Sequence, residues 1–197
     1  EIAAGSKESS KENLRQFREH YIDHMSQFST GKKYITDKMP YNFLLIKLIK
    51  CAIPEAKIIH IFRDPHAVCW SNYKQNFPNG GKLLRATYNL SDIAYFYTLY
   101  EDLINFWELK HNNKLTNINY ELLVTDPEKI IRKLISDLGL KWSGSSSKFY
   151  ENNRIITTAS HSQVRQKIYQ DSSKEWKLYR EHIGNAFNIL NKPSSKN

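Results

Sequence analysis

Arg63 follows directly on the apolar run Lys57–Phe62, and Asp64-Pro65 come next. The run reads as a strand and the residues after it as a helix, so a guanidinium stands at the joint. Asp64 suits the cap of that helix and Pro65 its first position, since neither needs an intrahelical donor there. Free N–H groups at a helix start, with an arginine beside them, form a place for a phosphate. Ser71 lies two turns in, on the face of Ala67, where two small side chains leave room for something to approach. Lys38 repeats the arrangement. It follows a short strand expected at Tyr34–Thr36 and precedes Met39-Pro40, which open a buried apolar helix over Phe43–Ile49.

These residues need a frame that gathers strand ends. Strand–helix alternation predicts an α/β fold with a parallel sheet and crossover helices, and such sheets bind ligands beyond the carboxyl ends of their strands. Ser9 and Glu12 make a capping-box pattern before a helix with Leu14, Phe17, Tyr21, Met25 and Phe28 on one face. Gly31-Lys32 reads as a turn, since the first glycine and the Ser/Thr of a Walker loop are missing. Ser91 is the expected cap of a long helix carrying Ile93, Phe96, Tyr97, Tyr100, Leu103, Ile104 and Trp107, with Asn112-Asn113 as its end. A strand over Lys114–Asn119 leads into Tyr120. Asp126-Pro127 opens a further helix with Gly139 as its stop. Trp176–Leu190 reads as a closing helix. The Pro78-Asn79-Gly80-Gly81 cluster is a loop suited to the rim of an acceptor site.

Composition narrows the class. The 197 residues suit one domain, and a 40% hydrophobic, 25% charged chain is that of a globular protein. No apolar run reaches the roughly 18 residues of a membrane span. Cys51 and Cys69, without metal-ligand or CxxC spacing, read as buried thiols in a reducing, cytoplasmic setting. His20 and His24 have the i, i+4 spacing of a metal pair but lack a third ligand, and surface histidines are the better reading. His60, inside an apolar strand, reads as a hydrogen-bonded core residue. The net charge is +9, and from Lys141 onward ten Lys/Arg face four Asp/Glu. An anionic small ligand fits this better than nucleic acid, because no basic stripe is interleaved with aromatics.

The spacing of Arg63 and Ser71, with Asp37-Lys38-Met39-Pro40-x-Asn42-Phe43 and Arg63-Asp64-Pro65 around them, resembles the sulfotransferases that use 3'-phosphoadenosine-5'-phosphosulfate (PAPS). The likeness is to tyrosylprotein sulfotransferases and, more closely, to their bacterial relatives often joined to tetratricopeptide arrays. It implies a P-loop-like fold and sulfuryl transfer from PAPS to a hydroxyl acceptor. In this likeness Arg63 and Ser71 grip the 3'-phosphate, and Tyr120 matches the YExL tyrosine beside the adenine. The segment Thr157-Thr158-Ala159-Ser160-His161-Ser162-Gln163-Val164-Arg165 resembles the family's TASxxQVR words. It implies Ser160 beside the transferred group and Arg165 on a ligand phosphate. Lys38 and Ser160 are thus the expected catalytic residues. No metal is implied, since cationic side chains and backbone N–H groups take its role.

The sequence departs from the family in places. Lys167 stands where relatives have proline, and Glu175 where they have a cation before the tryptophan, with Lys174 as a neighbouring substitute. The family's 5'-phosphosulfate loop and glutamate base lie upstream of the DKMP words. Neither the loop nor its strand is found in this chain and no general base is assigned, so the expectation is a sulfotransferase domain over 1–197 that is N-terminally incomplete. Such a domain would be inactive alone and would leave a sheet edge that invites a homodimer or a longer parent. The alternative is a non-catalytic nucleotide- or nucleic-acid-binding module.

Overall fold

The computed structural model describes residues 10–29, 31–75, 87–110, 115–144 and 171–191. The chain divides into two compact units, 1–57 with 102–114, and 58–101 with 115–197. Each is described by itself.

The first unit opens with helix α1 (Lys11–Ser26). Its cap is Ser10, whose hydroxyl accepts from the Asn13 amide at 3.1 Å. The expected Ser9 lies outside the described residues. Glu12, expected to reach back to the cap, is held instead by Arg15 and Gln16. No residue of α1 is fully buried, and Phe28 just beyond it is 66% exposed. Arg18 ties α1 to the end of α2 (Ile46–Ala52) through the Ala52 carbonyl and the Glu55 carboxylate. Tyr34–Thr36 is not a strand. The stretch has no ladder partner among the described residues, and Tyr34 and Ile35 are exposed. The expected Phe43–Ile49 helix is a 3-10 turn over Pro40–Leu45 that continues into α2, and only Ile46 and Ala52 of that pair of elements are buried. Cys51 is exposed, against the expectation of a buried thiol.

The second unit contains the parallel sheet. Strand β1 (Ile59–Phe62) pairs with β2 (Thr116–Asn119) in the register Ile59↔Thr116 to Phe62↔Asn119. Between them in sequence run α3 (Pro65–Lys74) and α4 (Leu90–Lys110). The long connection through helices is what a parallel pair requires. The two strands are the whole sheet among the described residues, and the result is a helix-rich α/β arrangement. Ile118 is buried, but Ile61 opposite it is exposed, so β1 is less enclosed than its apolar sequence predicts.

The core lies beside the sheet. Cys69 and Trp70 of α3 pack with Ile93, Ala94 and Tyr97 of α4 and with Ile183 and Phe187. Asn89, not Ser91, caps α4, its side-chain oxygen accepting from Ser91 and Asp92 amides at 2.8 and 3.2 Å. After β2 come α5 (Tyr120–Thr125) and α6 (Pro127–Asp137), the latter capped by Asp126 as expected. Gly139, at φ 71°, lets the chain turn back so that Leu140 bonds the Ile135 carbonyl, the predicted stop. The expected closing helix over Trp176–Leu190 is broken. It consists of a 3-10 turn Glu175–Tyr179, the short α7 (Arg180–Ile183) and a 3-10 turn Asn188–Asn191, because Gly184 takes φ 58° after α7.

Candidate functional site

The register Phe62↔Asn119 decides what meets at the strand ends. The residue after β1 is Arg63 and the residue after β2 is Tyr120. The Arg63 guanidinium lies 4.7 Å from the centre of the Tyr120 ring, within cation–π range. Two residues singled out from separate stretches of sequence therefore stand side by side.

Local chemistry fixes both. Asp64 caps α3 by accepting from the Ala67 amide at 2.7 Å, and Pro65 holds the first helical position, as the sequence predicts. Asn119 caps α5, accepting from the Leu122 amide at 2.8 Å, so Tyr120 begins a helix directly at the strand end. Tyr97, buried in the core, donates its hydroxyl to the Arg63 carbonyl at 3.3 Å. Burial raises the Tyr97 hydroxyl well above the tyrosine range, so it stays a donor.

The arginine is held from its inner side. Arg63 Nε donates to Ser173 Oγ at 3.0 Å, and Ser173 Oγ donates to Glu121 Oε1 at 2.8 Å. The same Glu121 oxygen accepts from the Asp64 backbone amide at 3.1 Å. Ser172 approaches the Tyr120 hydroxyl at 3.3 Å. Burial pulls Glu121 upward, but the Asp64 amide, the Ser173 hydroxyl and the Arg63 charge outweigh it and hold the carboxyl below its ordinary value. Sequence reasoning missed Glu121, Ser172 and Ser173 as site residues. The signal was there in the small polar triplet Asp171-Ser172-Ser173 ahead of Trp176 and in an acid beside a strand-end tyrosine.

Glu175, the departure from the family's cation, forms an ion pair with Lys74 of α3. That bond, above all, keeps the Glu175 carboxyl below its usual range. Trp176 beside it stacks on His66, ring centres 4.4 Å apart. The segment over Asp171–Tyr179 is thereby fastened to α3 and to the strand ends. Ser71 lies on the exposed side of α3, whereas Ala67 is covered.

Lys38 belongs to the first unit and is exposed. Its neighbours show what positions it. Asp37 accepts from the Tyr21 hydroxyl at 2.9 Å and from Asn42 Nδ2 at 3.4 Å, so the Asp37-Lys38-Met39-Pro40 stretch is tied to α1 and to its own 3-10 turn. Burial and the Asp37 bond push the Tyr21 hydroxyl up to about 12. His60 is hydrogen-bonded as read, with Nδ1 on Asn117 Oδ1 at 2.8 Å and Nε2 on the Tyr100 hydroxyl, but it is half-buried and not a core residue, since β1 is incompletely covered. The amide oxygen can only accept, so Nδ1 donates, and in the neutral ring Nε2 then accepts from the Tyr100 hydroxyl. His20 bonds the Gln16 carbonyl, and the His24 and Phe28 rings meet in a T-shaped contact. Ser160, Arg165 and the Pro78–Gly81 loop lie outside the described residues.

Residues 2–144 match the model of the sulfotransferase family. This chain belongs to that family. The matched stretch contains Lys38, Arg63, Ser71, Tyr120 and Glu121. An uncharacterized protein of Aquifex aeolicus is 29% identical over 177 residues, 90% of this chain and 23% of its own length. The omega-hydroxy-beta-dihydromenaquinone-9 sulfotransferase Stf3 of Mycobacterium bovis is 29% identical over 159 residues, 78% of this chain and 40% of its own. The same protein of Mycobacterium tuberculosis matches equally. The chain thus spans less than half the length of the curated relatives it matches. Among its described residues, no helix is long and apolar enough to cross a membrane.

Proposed function

We propose that this chain is a PAPS-dependent sulfotransferase domain over residues 1–197, with a P-loop-like α/β fold and a hydroxyl acceptor. The observation that carries the reading is the meeting of Arg63 and Tyr120 at neighbouring carboxyl ends of parallel strands. A nucleotide phosphate needs a cation with donors to spare, and an adenine needs an aromatic neighbour. Arg63 commits only Nε to a hydrogen bond among the described residues, which leaves its outer N–H groups for phosphate oxygens. One oxygen of the nearby Glu121 carboxylate accepts from both the Asp64 amide and Ser173, and among the described residues no direct bond joins Glu121 to the guanidinium fork. The residues fit the nucleotide.

PAPS supplies the activated sulfuryl group. Arg63, with Ser71, holds the 3'-phosphate, Tyr120 bounds the adenine, and Arg165 takes a further phosphate oxygen. In this reading Lys38 is the cation that would stabilise negative charge on the departing phosphate oxygen, and Ser160 is a further donor to the transferred group. Positioning and charge stabilisation of this kind carry most of the catalysis in loose in-line transfers. Stf3 is named for an omega-hydroxy acceptor, and the hydroxyl is what we carry over to this chain.

Calorimetric titration with PAP and ADP tests the reading. Hydrogen bonds to charged groups contribute roughly 1.5–3 kcal/mol, so Arg63→Ala weakens PAP by at least about tenfold and leaves ADP nearly unchanged. Equal losses for both nucleotides would remove the assignment. Tight, steeply salt-dependent binding of oligonucleotides without any preference for PAP would favour a non-catalytic nucleic-acid-binding module instead.

A further inference from the structure

An arginine that reads a phosphate must hold its plane before the ligand arrives, or binding has to freeze a long side chain as well as pair charges. Arg63 is held twice. Its guanidinium carbon lies 4.7 Å from the centre of the Tyr120 ring, and its Nε bonds Ser173 Oγ. Ser173 has a single hydroxyl proton, and it goes to Glu121 Oε1 at 2.8 Å. That leaves the Ser173 lone pairs turned to Arg63 Nε–H, so the acidic residue sets the direction of the arginine bond without touching the arginine. Glu121 is itself fixed, because the same oxygen accepts from the Asp64 amide, one residue after Arg63. The chain of bonds closes a loop through the backbone: Arg63 to Ser173, Ser173 to Glu121, Glu121 to Asp64. Ser173 comes 110 residues after Arg63 and Glu121 lies 57 residues after Asp64, so the loop joins three separated stretches.

We propose that Glu121, acting through Ser173, is the positioning residue that orients Arg63 for the nucleotide's 3'-phosphate. This deepens the proposed function and rests on it for the identity of the phosphate. Glu121 and Ser173 touch no reacting atom. Their contribution is to discrimination: without them Arg63 keeps its charge but loses its aim, and a charge without aim attracts any phosphate.

Two measurements test this on the whole chain. The first needs no ligand. Solvent exchange of the Arg63 Nε–H proton, followed by NMR and assigned with Arg63→Lys, is slow in the parent protein. It quickens by about tenfold or more in Ser173→Ala and in Glu121→Ala. Glu121→Gln keeps a side-chain oxygen for both bonds and so keeps the slow exchange. The second is the ratio of PAP to ADP affinity, which falls about five- to tenfold in Ser173→Ala, stays within about threefold of the parent in Glu121→Gln, and returns in Ser173→Thr. Unchanged Nε–H exchange in Glu121→Ala or in Ser173→Ala overturns the proposal, and so does a loss of PAP and ADP affinity in equal measure. Ser173→Ala leaves the Asp64–Glu121 bond in place and keeps the test open should Glu121→Ala fold poorly. A parent protein that does not prefer PAP over ADP sinks the functional reading, and the exchange measurement then decides by itself whether Glu121 orients Arg63.

Discussion

Lys38 and Arg63 both stand after short runs that read as strands, yet the two regions are built differently. The run before Arg63 pairs with β2 and becomes a strand, and the arginine inherits its place from the ladder. The run before Lys38 has no ladder partner among the described residues and stays irregular. Its lysine is placed by side chains instead, through Asp37 on Tyr21 and Asn42. The same contrast runs through the two units. Around Arg63 lies a core with Cys69 fully covered, whereas α1 buries no residue completely. A strand end gives position through the backbone. A tethered loop gives position through two hydrogen bonds, and leaves the cation free to adjust.

The thiols give the widest expected separation between the regions. Burial, with the charges of Glu101 and Asp64, pushes the Cys69 thiol from 9.0 up to about 12, which cuts its thiolate about a thousandfold at pH 8. Cys51 is exposed. Native protein treated with a chromogenic disulfide reagent should therefore lose one thiol quickly and the second only on unfolding. Two fast thiols would mean that the second unit opens as readily as the first.

Core truncation is the next largest effect. Phe187 is 4% exposed and packs in the same cluster as Cys69, so Phe187→Ala should cost about 3–5 kcal/mol in urea unfolding. Phe28→Ala, on the exposed residue after α1, should change stability by less than about 0.5 kcal/mol. Similar costs at the two sites would erase the distinction between the units.

Turnover sharpens the comparison of the two cations. On the proposed reading, Lys38→Ala in the active enzyme should lower kcat by about 100-fold or more while PAP affinity stays within about threefold, because the charge it would meet develops in the transition state. Arg63→Ala should do the reverse, weakening binding more than turnover. Near-normal kcat in Lys38→Ala would leave Lys38 a solvated residue.

The smallest effect is a pH dependence at the strand ends. Glu121 is held below its ordinary 4.5, so its contribution to stability is whole above that pH and fades as pH falls through the lower folded value. The melting temperature of the parent relative to Glu121→Gln should thus be highest above about pH 4.5, and the gap should narrow as the solution is acidified below it. A gap that widens on acidification would reverse the sign of the shift.

Much of the second unit was legible because its signals are local. Asp64-Pro65 and Asp126-Pro127 announce helix starts by their own chemistry, and Gly139 announces a stop. Arg63 and Tyr120 were legible as strand-end residues, one at a time. Their contact was not, since it depends on a register between strands that no single stretch contains. The Arg63–Ser173–Glu121 chain was hidden for the same reason. Tyr34–Thr36 failed in the opposite direction, since a β-prone triplet forms a strand only where a neighbour offers a ladder. Ser91 lost the cap of α4 to Asn89 two residues earlier, a difference that propensity alone does not resolve.

The pairing of Phe62 with Asn119 also has a kinetic meaning. These strands lie 57 residues apart in sequence, the separation recorded between His60 and Asn117 in the same register. Contacts of that span must close a long loop first, so they belong to the slow, late part of folding. A slip by one residue would turn Arg63 and Tyr120 to opposite faces. Any nucleotide that grips both residues therefore binds only chains that have completed this pairing. It would act as a selector of correctly registered molecules, and raise their ratio to the rest by a factor of one plus its concentration over Kd.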